Sequence, residues 1–515
     1  MERITLRPGQ RYTFKDVKSV AEGALVEVSR ETRQLVRKSY EEVLKIEGDV
    51  YGMTVGVGDL KGQRRNKKDS DAPKNMLLSH AAGAGRFMNR ESVRAMIFSR
   101  LIALSQGQSG VRPELLVFMG DLLNKDVVPR VHSGGSIGTG DLQQLSEAFV
   151  SIYNKGKVEY NGEIMEPHDA FGKAGVRNPG ELVGRESLAL MSGNNAAIGI
   201  GSLVLSELES YAKKSILSAA LSMEGRGGTH AAFFSENQNA RPHPGQVAVA
   251  RSLENLLEDS TQIIRYYTNE QDPISFKAVS ARIGVGWNFL QNAEDLLVRE
   301  INAGTDNPFF VNGAPVEASN YDSSELAHML DRVGPAVAMI TNASAARINI
   351  LTNDILNNGL PKHLSPGDAG GRSGFMILPN TANYFANEIM ARSASRSLFS
   401  ATVANGQEDV SSNAYSASLN ARDIMEFAND GLGLEYLASS QAIALRLEIN
   451  PSLRLGLGTA PMYEMIKATL TELDADYRLP FKQDVYQAGA IEAINDLHKQ
   501  PEFLSKVDLL LGVSC

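Results

Sequence analysis

The stretch Ser133–Leu142, SGGSIGTGDL, sets Gly134, Gly135, Gly138 and Gly140 among two serines, a threonine and an aspartate. Glycines this dense let a backbone turn tightly or approach another group closely. Phosphate binding is one chemistry to test, and it requires a lysine and a hydroxyl directly after the glycines. Here Gly140 is followed by Asp141 and Leu142, and a carboxylate in that place repels phosphate. A turn ending in a helix cap is the second reading, with Asp141 or Thr139 accepting the first amides of a helix that begins at Leu142. That leaves the glycine cluster unexplained. Three further groups able to hold or move a proton stand elsewhere: Tyr51 in YGMTVGVGDL, His80 in LLSHAAGAG and Glu408 in NGQEDV. Taken singly, such residues sit more often in packed turns, structural sites or solvated caps.

These groups need a scaffold, and composition bounds it. The 515-residue chain is 43% hydrophobic and 22% charged, the balance of a globular protein with a sizeable core. Its net charge of −9 and pI near 5.6 provide no global basic field, so neither nucleic acid nor an anionic membrane is an expected partner. Cys515 is the single cysteine. It excludes an intrachain disulfide and a cysteine-rich metal site, and it points to a reducing, cytoplasmic setting. No metal is expected. The N-terminal MERITLRPGQRYTF lacks the order of a signal peptide, and no run of 18 uninterrupted apolar residues follows.

The elements read as mainly α. Val93, Met96, Ile97, Leu101 and Leu104 recur at helical spacing over Ser92–Leu104. Similar patterns run through Leu205–Met223, Ser324–Thr352, Asn383–Val403 and Ile424–Leu447. Two segments break the pattern. RITLRPGQRYTF is expected to form a short hairpin, and the polar, basic run from Gly62 to Lys74 a mobile surface loop or part of a lid. No repeat or domain-sized linker divides the chain. It is expected to be one unit over residues 1–515, with an N-terminal part at 1–200 and a helical bundle at 201–515.

The run SGVRPELLVFMGDLLNKDVVPRVHSGGSIGTGDL resembles the corresponding stretch of the aromatic amino acid lyase family, which includes histidine and phenylalanine ammonia-lyases and related aminomutases. YGMTVGVGDL, SHAAGAG, ESLALMSGN, QDPISFKA, NAGTDNPFF, LNNGLPKHLSPGDAGGRSGFMI and NGQEDVSS follow the family's motifs in order. In that family an Ala-Ser-Gly tripeptide cyclises and dehydrates into a 4-methylidene-imidazol-5-one, an electrophile made from backbone. The resemblance implies long antiparallel helices, a small-molecule substrate and a homotetramer whose active sites each draw on three chains. It also implies that Tyr51 is a base, that Glu408 accepts a proton from or pairs with a substrate amine, and that His80, Ser192, Lys277, Asn320, Tyr321 and Gln407 contact substrate.

This chain departs from the family where the electrophile is made. It is one residue shorter between Pro129 and Gly140, and the tripeptide reads Gly138, Thr139, Gly140. Dehydrating a threonine would give an ethylidene, with an added methyl shielding the electrophilic carbon. Around the substrate, Ile274 replaces a tyrosine, Lys277 an arginine, Ser192 an asparagine and Asp322 a histidine, and Val410 follows the QED run. A lysine meets a carboxylate as a point charge instead of a two-pronged donor. The reading is therefore an intact Thr139, no cofactor, and elimination or isomerisation by the tyrosine base. The alternatives are a conventional ammonia-lyase or 2,3-aminomutase with a group derived from Gly138-Thr139-Gly140, and a conjugate-addition cyclase or inactive binding scaffold. A tyrosine base requires amide dipoles or nearby cations to stabilise its phenolate, and the basic tract from Arg64 to Lys68 is a candidate source.

Overall fold

Thr13 opens the first helix, Phe14–Ala21, through a capping box: its hydroxyl accepts the Asp16 amide while the Asp16 carboxylate takes the Thr13 amide at 2.7 Å. That helix overturns the hairpin expected at the N-terminus. Arg3–Leu6 pairs in parallel with Leu25–Val28, because a helix inserted between two strands returns the chain in the same direction. The computed structural model describes residues 2–65, 70–264, 271–366 and 371–512. Cys515 and the tract's residues 66–68 lie outside them.

The chain divides into two units, each made of three segments. The first comprises Met1–Ser206, Ala293–Asp331 and Ser395–Arg422; the second Glu207–Asn292, Arg332–Ala394 and Asp423–Cys515. The expected division near residue 200 lies close to Ser206, but two later segments rejoin the first unit, which no linear division conveys.

In the first unit the helix Arg90–Ser105 is buried on nearly every face, and Asn89 caps it by accepting the Ser92 amide at 2.9 Å. The helix Pro113–Asn124 packs beside it through Leu115, Leu116, Phe118, Met119 and Leu122. Burial of this helix also carries Arg100 inside, where it meets Asp306. Arg185 reaches the same carboxylate at 3.1 Å, and both arginine side chains are fully inaccessible. Asp306 thus holds two buried guanidinium groups and pins the TDNP segment to two helices.

In the second unit, Val333–Leu351 packs against Leu378–Arg392. Arg347 on the former donates to the buried Glu435 carboxylate at 2.5 and 2.9 Å. Guanidinium bonds hold the Glu435 carboxyl in its ionised form although burial opposes it.

Two helical expectations are corrected. Ser324–Thr352 is split into Ser324–Asp331 and Val333–Leu351, because Pro335 has no amide for the Asp331 carbonyl and its ring would clash there. The pattern at Asn383–Val403 starts earlier and stops sooner, as Leu378–Arg392. Beyond it the Arg396 and Ser397 amides are drawn to the Asp331 carboxylate at 2.8 and 2.9 Å. The segment Glu186–Arg226 has the length and hydropathy to cross a membrane, and 94% of its apolar window is buried in the protein.

Replacing Asp306 with Asn would leave two buried guanidinium groups without their anion, at a cost of about 3–5 kcal/mol. The expected outcome is a clear fall in Tm and faster proteolysis of the folded protein; an unchanged Tm would contradict the role given to Asp306.

Candidate active site

A cavity of about 900 Å³ opens in the first unit. Six stretches line it, and the glycine-rich loop ties several of them together. The Asn413 amide donates to the Ile137 carbonyl at 2.9 Å, and the Ser412 hydroxyl to the Gly138 carbonyl at 2.9 Å. An isolated antiparallel bridge joins Thr139 to Asp322, and the Asp141 amide donates to the Gly193 carbonyl at 2.8 Å. Gly138 and Gly140 have φ of +94° and +87°, a region where side chains other than glycine's are strained.

Asp141 corrects the expected cap. Its carboxylate bonds no amide of its own helix, Leu142–Phe149. It accepts instead from the Ala197 amide at 2.9 Å, in the first turn of the helix Asn195–Arg226, and from the Ser136 hydroxyl at 2.8 Å. Full burial pushes its carboxyl up to about 6 against these bonds.

Thr139 donates its hydroxyl to Glu408 at 2.9 Å, and Glu408 in turn lies in a short bridge with Val403. Tyr51 sits half-buried on the loop at 49–61, where its hydroxyl accepts the Gly58 amide at 2.7 Å. Burial raises the Tyr51 phenol above its usual range; the Gly58 amide opposes that rise, while Glu408 and Tyr321 add to it. The amide dipole expected for a tyrosine base is therefore present and does not by itself prevail. Of the basic tract's described residues, Arg64 is engaged by Asp49 at 3.0 Å and Arg65 donates to the Gly52 carbonyl at 3.3 Å, and neither is among the groups that shift Tyr51.

His80, Ser192, Tyr321, Gln407, Thr139 and Glu408 all line the cavity with Tyr51. His80 Nδ1 donates to the Met76 carbonyl at 2.8 Å, which leaves Nε2 as its acceptor. Two expected contacts are not among the lining residues. Asn320 is exposed, donates to the Gly304 carbonyl at 3.0 Å and is not part of the lining. Lys277 belongs to the second unit and donates to Gln271 at 2.9 Å.

Several positions within or beside the motifs were not singled out as functional by the sequence. Asn405 donates to Asp59 at 2.6 Å and Lys61 donates to Gln407, so the Tyr51 loop is stitched to the NGQED segment across more than 300 residues of sequence. Buried Asn194 donates to the Tyr321 carbonyl and to Ser323 Oγ, the latter at 2.6 Å, and so fixes the backbone that carries Tyr321. Asp49, Asp59, Glu317 and Glu408 outnumber the single lysine of the lining, Lys61. The four carboxylates make the cavity acidic.

The loop has no room for the alanine side chain that the family carries at position 138. A Cβ on Gly138, where the family carries alanine, would lie 2.5 Å from Ser412 Oγ and 2.6 Å from the Asn413 amide nitrogen. The carbonyl that cyclisation would consume accepts from Ser412, and the hydroxyl that dehydration would remove holds Glu408.

Residues 12–468 match the family model described as aromatic amino acid lyase. The chain is 32% identical to the histidine ammonia-lyase of Myxococcus xanthus over 97% of both chains, and 32% identical to that of Treponema denticola over 91% of this chain and 93% of the relative. Among solved structures it is similar to the tyrosine aminomutase of Streptomyces globisporus, with a TM-score of 0.91 and 27% identity over 99% of both chains. It is also similar to the ergothioneine-degrading ergothionase of Treponema denticola, solved with desmethyl-ergothioneine sulfonic acid, with a TM-score of 0.88 and 25% identity over 99% of this chain and all of the other.

Adding a methyl at Gly138 is expected to cost roughly 1–3 kcal/mol through overpacking and backbone strain, and to lower turnover by displacing Glu408. Pairing Gly138→Ala with Ser412→Gly should not restore either, since the Asn413 backbone nitrogen remains in the way. Full rescue by the second substitution, in paired Tm and turnover measurements, would refute the clamp.

Proposed function

Since the chain belongs to the aromatic amino acid lyase family and is a lyase-type enzyme, we propose that it eliminates an amine from, or isomerises, a cationic amino-acid-derived substrate with Tyr51 as base and Thr139 intact. The observation that carries this reading is the convergence of Tyr51, Thr139 and Glu408 on a cavity whose charged lining is mostly carboxylate.

The charges explain how a tyrosine with a raised pKa becomes a base. Glu408 disfavours the phenolate; a bound cation beside it reverses that influence, because an opposite charge nearby favours the ionised form. Binding of the substrate therefore prepares the base. The Tyr51 phenolate removes a proton from a carbon of the substrate, the electron pair forms the new double bond, and the amine leaves with the electrons of its carbon–nitrogen bond. Glu408, oriented by the Thr139 hydroxyl, pairs with the ammonium until it departs. His80 Nε2 and Ser192 offer polar contacts to the rest of the substrate.

An amine can leave without an electrophile when it departs as a neutral tertiary amine from a quaternary ammonium. The ergothionase, which degrades ergothioneine, supports this choice of leaving group, since ergothioneine carries a trimethylammonium. The proposal keeps from the resemblance a homotetramer in a cytoplasmic setting, and Lys277 as the cation for a substrate carboxylate. A second reading has one finding in its favour, the histidine ammonia-lyase names of the curated relatives: conventional deamination through a group made from Gly138-Thr139-Gly140.

Turnover of quaternary and primary ammonium amino acids by variants separates the two. Tyr51→Phe should lower kcat by about 10²–10⁴, while Thr139→Ala should lower it less, by roughly ten- to a hundredfold, as expected when one hydroxyl bond to the Glu408 carboxylate is lost. Because kcat/KM reports the free enzyme and kcat the substrate complex, the acid-side limb of kcat, below which Tyr51 is protonated, should lie at lower pH than that of kcat/KM. Loss of activity in Thr139→Ala with activity kept in Tyr51→Phe would overturn the proposal.

A further inference from the structure

A second concavity in the first unit has the opposite charge. It measures about 500 Å³ and is lined by Arg30, Arg33, Arg37 and Arg177, with Glu114 as the carboxylate among them. Arg30, Arg33 and Arg37 stand at i, i+3 and i+7 of the helix Arg30–Val43, and so project from one face. Arg177 faces them from the loop before Pro179.

Not all of this charge is answered. Arg37 is paired with Glu114 at 2.9 Å, and Arg177 clasps Asp121 through Nε and Nη2 at 2.9 and 3.0 Å. The Arg30 and Arg33 guanidinium groups have no hydrogen bond or ion pair among the described residues. In a chain of net charge −9, four guanidinium groups around one hollow repel one another unless an anion lies between them. The helix Pro113–Asn124 presents its first turn to the same hollow, and no side chain caps it. The helix dipole adds positive potential there, offset by the Glu114 carboxylate of the same turn. Pro113, Val117 and Pro179 supply an apolar wall beside the charges.

We propose that this hollow binds a small phosphorylated metabolite of about nucleotide size. Guanidinium forks match phosphate oxygens two at a time, the volume falls within the usual range of small-ligand sites, and the apolar wall takes the organic body. This site is separate from the acidic cavity and uses none of its residues.

Calorimetric titration of the full chain at about 0.15 M salt with inorganic pyrophosphate, ADP and citrate tests the assignment. One saturable site per chain is expected for pyrophosphate and ADP, with ADP tighter and citrate weaker. The Arg30→Gln/Arg33→Gln double variant should weaken both phosphates at least tenfold, while Arg3→Gln, whose arginine pairs with Glu27 elsewhere, leaves them unchanged. Glutamine keeps helix propensity near that of arginine, and an unchanged Tm without ligand shows that the fold is kept. Absence of saturable binding, equal affinity in the double variant, or citrate as tight as ADP would each overturn the proposal.

Discussion

The close approach of Gly138 to Ser412 and Asn413 is the constraint from which the site follows. The contact admits no Cβ, so glycine at 138 is required by space as well as by its positive φ. Once the loop is seated there, Thr139 faces Glu408, Asp322 pairs with Thr139, and Gly193 receives the Asp141 amide. Segments separated by up to about 270 residues of sequence thereby meet within hydrogen-bonding distance. The buried Asp306 acts on the same region from behind, since it anchors the TDNP segment that leads into the strand pair Phe309–Val311 and Ala314–Val316 and on to Tyr321.

The electrostatics of the cavity pose a problem that only its substrate resolves. Tyr51 is half-buried, and the carboxylate nearest in influence, Glu408, works against its ionisation. Tyr321 is raised by burial and by Glu408 as well. A neutral or anionic ligand would leave both phenols protonated at neutral pH. A cation satisfies Glu408 and lowers the cost of the phenolate in one event. In the proposed reaction, selection of a cationic substrate and activation of Tyr51 are thus the same interaction.

Much of this was readable from sequence where local rules operate. Helical periodicity placed the helices of the core, and the ordered motifs brought Tyr51, His80, Thr139 and Glu408 together as a family pattern. Pairings set by distant residues were not readable. Asp141 has the residue type and position of an N-cap for Leu142, yet its carboxylate serves Ala197, because burial beside a second helix start overrides the local preference. Pro335 does mark the break after Asp331, but an apolar pattern continuing across it conceals the split. Asn194, Lys61 and Asp59 act through partners more than 100 residues away, and neither their spacing nor their composition records those partners.

The central claim is that a loop which in its family becomes an electrophile remains an ordinary peptide here, with a threonine that positions a carboxylate. Mass spectrometry of the proteolytic peptide carrying Gly138-Thr139-Gly140, taken from active enzyme, tests it most directly. The account predicts the mass of the unmodified sequence. A peptide lighter by two waters would show that the ring forms and would contradict it.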